Sequence, residues 1–167
     1  MKRGSISFAL IAAVALTAHP YAQAPATGAK PAAPAAAAAG QARTVEIDGT
    51  DQMKFSVTTI NAKPGETIRV RLRVVSAMPK MAMSHNFVLL NAGVDAAAFA
   101  NEAMMAGATG YIPAARKNQV YAATPMGGGG ETVEITFKAP AKAGSYTYLC
   151  TFPGHFATGM RGTLVVK

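Results

Sequence analysis

Thr67-Ile68-Arg69-Val70-Arg71-Leu72-Arg73-Val74-Val75 alternates apolar and charged residues with a period of two. Successive side chains of an extended chain point to opposite faces, so Ile68, Val70, Leu72 and Val74 share one face and Arg69, Arg71 and Arg73 the other. The first face belongs in a core, and the arginine row reads as the solvated face of the strand rather than a partner site. A turn, Lys63-Pro64-Gly65-Glu66, leads into the strand.

The same alternation recurs on either side. Val133, Ile135 and Phe137 share a face over residues 132–137, as do Tyr146, Tyr148 and Cys150 over 145–150. Shorter extended stretches are expected at 44–47, 55–58, 85–90 and 163–166, giving an all-β sandwich of about eight strands. One segment departs from this texture. Residues 95–105 are rich in Ala and carry Phe99, Met104 and Met105, with Asp95 placed as an N-cap and Gly107 past the end. They predict one short helix inserted between strands. The glycine run 127–130 reads as a flexible connection without a function, because no Lys-Ser/Thr pair and no helix follow it.

The front of the chain is different. Lys2 and Arg3, an apolar run over 6–16 and small residues at 22–24 have the layout of a secretory signal peptide, residues 1–24. The apolar run falls short of the roughly 20 residues that span a bilayer. Pro25 is unfavourable just after a cut at Ala24, so the cleavage point stays open. Retention of the segment as a membrane anchor, with the domain held close to the membrane, is the alternative to release. Residues 25–42 read as an Ala/Pro-rich tether without side chains for a core. Residues 43–167, roughly 125 of them, are enough for one domain. The expected location is the periplasm.

The formal net charge is +8, falling to about +6 without Lys2 and Arg3, a modest excess that favours acidic partners or anionic surfaces. Nucleic acid is a poor partner for an exported chain. The only cysteine is Cys150, which excludes both an internal disulfide and a lipid-anchor cysteine near the front. Taken alone, Cys150 reads as a small buried apolar residue. Its neighbours change that.

The tail runs Cys150-Thr151-Phe152-Pro153-Gly154-His155-Phe156-Ala157-Thr158-Gly159-Met160, followed by the closing strand. A thiolate, an imidazole and a thioether thus lie on one connection, a donor set that suits copper in both its oxidation states. Zinc does not ordinarily recruit a thioether. A second imidazole is needed, and Met83-Ser84-His85-Asn86-Phe87-Val88-Leu89 supplies it. Beyond the signal segment the chain holds no other histidine, so one trigonal site uses its whole His and Cys inventory. Nucleophile, base and oxyanion groups do not assemble from what is left, and a multicopper enzyme would need more histidines. The sequence reads as a non-enzyme.

These segments resemble the cupredoxins, the blue type 1 copper proteins of the azurin and auracyanin type. Ser-His-Asn-Phe-Val-Leu is similar to the azurin stretch Gly-His-Asn-Trp-Val-Leu, and Cys-Thr-Phe-Pro-Gly-His matches the azurin ligand loop. Four residues separate His155 from Met160, the auracyanin spacing, where azurin has three; the azurin disulfide is also missing. The resemblance implies a Greek-key cupredoxin fold holding one copper ion. It places His85, Cys150 and His155 in the equatorial plane, Met160 on the axis, and the Ser84 carbonyl opposite as a weak contact. It makes Asn86 the residue that ties the first ligand segment to Cys150-Thr151. It also implies an electron carrier whose partners are redox proteins: a membrane oxidoreductase, a cytochrome or a copper enzyme. Met81, Met83 and Phe156 are candidates for a docking surface. The other readings of the methionines are packing residues and labile Cu(I) ligands, the latter in a copper-binding and delivery protein.

Overall fold

The computed structural model describes residues 41–167; the expected signal peptide and the tether as far as residue 40 lie outside the described residues. In chain order the strands are β1 (Arg43–Thr50), β2 (Lys54–Phe55), β3 (Thr59–Ala62), β4 (Thr67–Val75), β5 (Ser84–His85) and β6 (Val88–Leu90). After the helix α1 (Ala96–Ala103) and two short 3₁₀ turns come β7 (Val120–Ala123), β8 (Gly127–Gly128), β9 (Thr132–Lys138), β10 (Gly144–Leu149) and β11 (Arg161–Val166). They form a four-stranded sheet ordered β2-β1-β4-β9, a five-stranded sheet ordered β3-β11-β10-β6-β7, and the small ribbon β5-β8.

The alternating segment is β4, an interior strand between parallel β1 and antiparallel β9. Its apolar face is sealed, with Ile68, Val70 and Leu72 at 0 % exposure. Its arginines meet acids on both flanking strands. Arg71 reaches Glu46 at 2.8 Å and Glu134 at 3.4 Å, Arg73 reaches Asp48 at 2.9 Å, and Arg69 reaches Glu134 at 3.1 Å. These pairs are solvent-exposed, so each contributes well under about 1 kcal/mol. Glu46 lies opposite Arg71 and Asp48 opposite Arg73 in the β1–β4 ladder, so the charges agree with the register that buries the apolar face.

Ile47, Ile68, Val70 and Leu72 of the first sheet pack with Ile60, Leu89, Tyr148 and Leu164 of the second in one continuous core, which also takes in Phe87, Cys150 and Met160. Two of the four metal-ligand candidates, Cys150 and Met160, are thus rooted in the main core. A second cluster joins Val88, Leu90 and Leu149 to Phe99 and Ala100 of α1. The helix therefore covers the outer face of the second sheet, and β6 is buried on both sides. Asp95 caps α1 as its sequence suggests, its Oδ1 accepting from the Ala97 and Ala98 N–H groups at 2.9 and 3.1 Å. The helix stops at Ala103 rather than Met105, and Met105 stands 89 % exposed.

Three expectations are corrected. The strand expected over 55–58 is two strands: Lys54–Phe55 pairs with β1, then the chain crosses to the other sheet and pairs with β11 from Thr59. The strand expected over 85–90 is likewise split at Asn86-Phe87, because His85 belongs to the ribbon and Val88 to the second sheet. Gly127 and Gly128 are paired in that ribbon opposite His85 and Ser84, so part of the glycine run is a structural partner of the first ligand segment and not merely a loose connection. Strand β7 was not expected from the sequence. It is a sheet edge with weak alternation.

Tyr148 shows how tightly the two sheets mesh. Its ring lies 5.7 Å from that of Phe55 and 4.9 Å from that of Phe87, and its hydroxyl donates to the Val57 carbonyl at 2.7 Å. Gly162 is its ladder partner on β11, and a Cβ there would fall 2.2 Å from the ring and 2.6 Å from the Thr58 carbonyl oxygen. With buried aromatic and backbone on both sides, Gly162→Ala is expected to destabilise the domain by about 2 kcal/mol or more. A lowered urea midpoint at unchanged slope would register this; an unmoved midpoint would mean that β11 can step away from Tyr148.

Candidate metal centre

His85 is the last residue of β5, and Asn86, the next residue, leaves the ribbon to serve another purpose. Its side-chain amide donates to Thr151 Oγ1 at 2.8 Å, and its Oδ1 accepts from the Thr151 N–H at 2.9 Å. Both residues are buried. This reciprocal pair pins the first ligand segment to the residue after Cys150. The loop that follows folds on itself: the His155 carbonyl accepts from the Met160 N–H at 3.0 Å and from Thr158 Oγ1 at 2.8 Å. Cys150 N–H donates to the Met160 carbonyl at 3.1 Å and closes the loop at its neck.

The result brings the expected residues together. Nδ1 of His85 and Nδ1 of His155 are 3.1 Å apart, and Cys150 Sγ lies 3.8 and 3.5 Å from them. The point equidistant from the corners of that triangle lies about 2.0 Å from each atom. That is a bond length from imidazole to a first-row metal, and a little short for sulfur. Two lone-pair nitrogens and a sulfur aimed at one point thus fit a copper ion. The Ser84 carbonyl oxygen lies 3.9 Å from Cys150 Sγ.

The pocket is dry. His85, Cys150 and Met160 have no exposure and His155 has 2 %. Burial holds the His85 imidazole below its ordinary range, against the opposing pull of the Asp51 charge and the Thr50 carbonyl. Among the described residues its Nε2 is buried without a well-formed hydrogen bond. Burial, reinforced by repulsion from His85, takes His155 down to about 4. Burial also pushes the Cys150 thiol up to about 12, although the backbone N–H groups of Asn86 and Phe152 draw it the other way. The metal-free site at neutral pH is therefore two neutral imidazoles and a thiol. A cation that takes the thiol proton's place would meet preformed ligands.

Met160 belongs to the same assembly through a residue that the sequence did not single out. A Cβ on Gly49 of β1 would lie 2.8 Å from His85 Cδ2 and 3.1 Å from the Met160 methyl carbon. Gly49 thus lets β1 lie flat against both side chains. A glycine near the end of a strand is a signal of close approach, but nothing in the sequence says what approaches. Of the docking candidates, Met81 is 95 % exposed, while Met83 is buried at 8 % and does not present its thioether to solvent. Phe156 is half-buried under the Arg161 guanidinium, 5.0 Å from its ring centroid.

Comparison with known proteins agrees with this geometry. The family described as "Copper binding proteins, plastocyanin/azurin family" matches residues 41–167. Auracyanin-A of Chloroflexus aurantiacus is 40 % identical over 127 residues, covering 74 % of this chain and 74 % of that protein. Azurin of Pseudomonas denitrificans is 38 % identical over 126 residues, covering 74 % of this chain and 97 % of the azurin. The solved structure of auracyanin A, titled a "blue" copper protein, superposes with a TM-score of 0.66 at 39 % identity, covering 74 % of this chain and 98 % of that one.

Two expected outcomes follow from the geometry. Asn86→Ala removes both bonds to Thr151 and leaves a buried hydroxyl and N–H unpaired, so the metal-free domain should lose about 2 kcal/mol or more. Chemical denaturation of metal-free protein measures this, and unchanged stability would show that the loop is held elsewhere. The second concerns pH. An unfolded histidine titrates near 6.5 and folded His155 only near 4, so over that interval the unfolded chain binds more protons. The metal-free protein should be level in stability between about pH 6.5 and 8.5, where neither the histidines nor the thiol titrate in the unfolded chain, and weaken as pH falls toward 4. His155→Gln should flatten that slope in urea midpoints taken at several pH values.

Proposed function

The chain belongs to the plastocyanin/azurin family of copper-binding proteins, and from that premise we propose that it is a periplasmic blue copper protein carrying single electrons between redox partners. The family's azurins and auracyanins are electron carriers rather than enzymes. The observation that carries the reading is the buried triangle of two Nδ1 atoms and one Sγ. His85, Cys150 and His155 would hold the ion, Met160 would add a weaker thioether donor, and the Ser84 carbonyl would lie beside Cys150 as a minor contact. Copper in such a site supplies one-electron chemistry.

The chain's own residues account for why the electron moves at little structural cost. Asn86 and Thr151 hold the two ligand segments at fixed separation, and the self-bonded loop holds His155 and Met160. Cys150 and Met160 are set in the main core, so the donors would resist following the geometric preference of either oxidation state. Exclusion of water keeps exchangeable ligands away. His155, alone among the four in retaining exposure, offers the shortest way between metal and surface. Partners of the kind expected, a membrane oxidoreductase, a cytochrome or a copper enzyme, would approach there, with the exposed Met81 thioether and half-buried Phe156 as apolar contacts. Export through the leader and release or anchoring by the tether complete the reading.

The test is the visible spectrum of the full chain loaded with Cu(II), beside Cys150→Ser. An intense band that disappears on reduction, and is absent from the variant, is the expected result. Weak colour in both proteins would sink the carrier and leave copper delivery as the working assignment.

A further inference from the structure

We infer that Lys54 is a positioning residue for Met160, clasping the ligand loop to the β1–β2 hairpin; this rests on the reading of Met160 as the axial ligand. The loop carbonyls between Phe152 and Gly159 largely turn inward. Those of Phe152, Gly154, His155, Phe156 and Gly159 accept from N–H groups within the loop or from Arg161 just beyond it. The Thr158 carbonyl accepts none of these. It accepts from the Nζ of Lys54, a residue 104 positions earlier. Among the described residues this is the only hydrogen bond joining residues 156–159 to a residue outside 154–161.

The neighbouring backbone is shaped around the ammonium group. Gly159 has a φ of +93°, and a Cβ there would stand 2.8 Å from Lys54 Nζ. The residue directly before Met160 thus has a backbone conformation that favours glycine, and the Lys54 ammonium stands in the space beside it. Lys54 itself is held. It lies opposite Thr50 in the β1–β2 ladder, and Gly49 lies opposite Phe55. Backbone bonds from Met53 N–H to the Thr50 carbonyl at 2.8 Å and from Ser56 N–H to the Asp48 carbonyl at 2.9 Å close the hairpin.

One hairpin therefore touches both Met160 and the loop that leads into it. Gly49 lies against the Met160 methyl group and the His85 ring. Lys54 holds the carbonyl two residues before Met160. The thioether of Met160 follows the clasped carbonyl by two residues at the end of the loop, so the clasp bears on it in addition to the core packing it shares with Cys150. The axial ligand tunes a blue copper site, and Lys54, outside the ligand set, sets where that ligand stands. Both Lys54 and Thr158 are exposed, so the effect is a trimming of the site and not its survival.

The experiment compares the full copper-loaded chain with Lys54→Met, which keeps the length but loses the charge and the donor, and Lys54→Arg, which keeps both. The reading is the ratio of the two thiolate-to-copper bands, which follows the axial interaction, together with copper loss to a chelator. Lys54→Met should change the ratio and release copper about threefold faster, the worth of one modest hydrogen bond, while Lys54→Arg matches the parent. An unchanged ratio in Lys54→Met overturns the inference, including the case where only the reduction potential moves, since that is charge without positioning. The same change in Lys54→Arg also overturns it. If the parent itself has no thiolate band, the blue copper reading fails first.

Discussion

Two hydrogen bonds between Asn86 and Thr151 join parts of the chain 65 residues apart, and the metal centre depends on that junction. Asn86 offers a donor and an acceptor in fixed relation, and Thr151 returns an acceptor and a donor. Each partner would leave a buried polar group unsatisfied without the other. The pair therefore works whether or not copper is bound. It settles where His85 lies relative to Cys150, and the triangle of donor atoms follows from it.

The sandwich supplies the rest of the constraint. Cys150 and Met160 are members of the same packed cluster as Ile47, Phe87 and Tyr148, so moving a ligand means moving the core. Dense packing leaves few alternative positions for such side chains. Burial has an electrostatic counterpart. It raises the Cys150 thiol and lowers both imidazoles, which leaves the metal-free pocket uncharged and therefore tolerable inside a core. The donors are stored neutral and aligned, and the cost of organising them is met by folding.

Much of this was legible in the sequence. The period-two pattern at Thr67–Val75 gave a strand with Ile68, Val70, Leu72 and Val74 inward, and the core holds all four. Asp95 announced the helix that it caps. The donor types His85, Cys150, His155 and Met160 announced copper, since chemical identity is a property of the residue and needs no coordinates. Strand breaks were not legible, because β2 and β3 differ only in which sheet they join. The pairing of Gly127–Gly128 with Ser84–His85 was hidden for the same reason: glycine has no side chain through which to advertise a partner.

The sequence by itself determined the ligand inventory, the alternation that buries one face of each long strand, and the family resemblance carried by the two ligand segments. Local pattern and chemistry are written one residue at a time, and these properties need nothing more. Only the tertiary structure decided that Gly49 backs onto His85 and Met160, that Lys54 reaches the Thr158 carbonyl, and that Met83 is buried while Met81 is open. Each is a meeting between segments that are distant in sequence or a choice between faces at a bend. Such meetings are fixed by how the sheets cross, which no local period encodes.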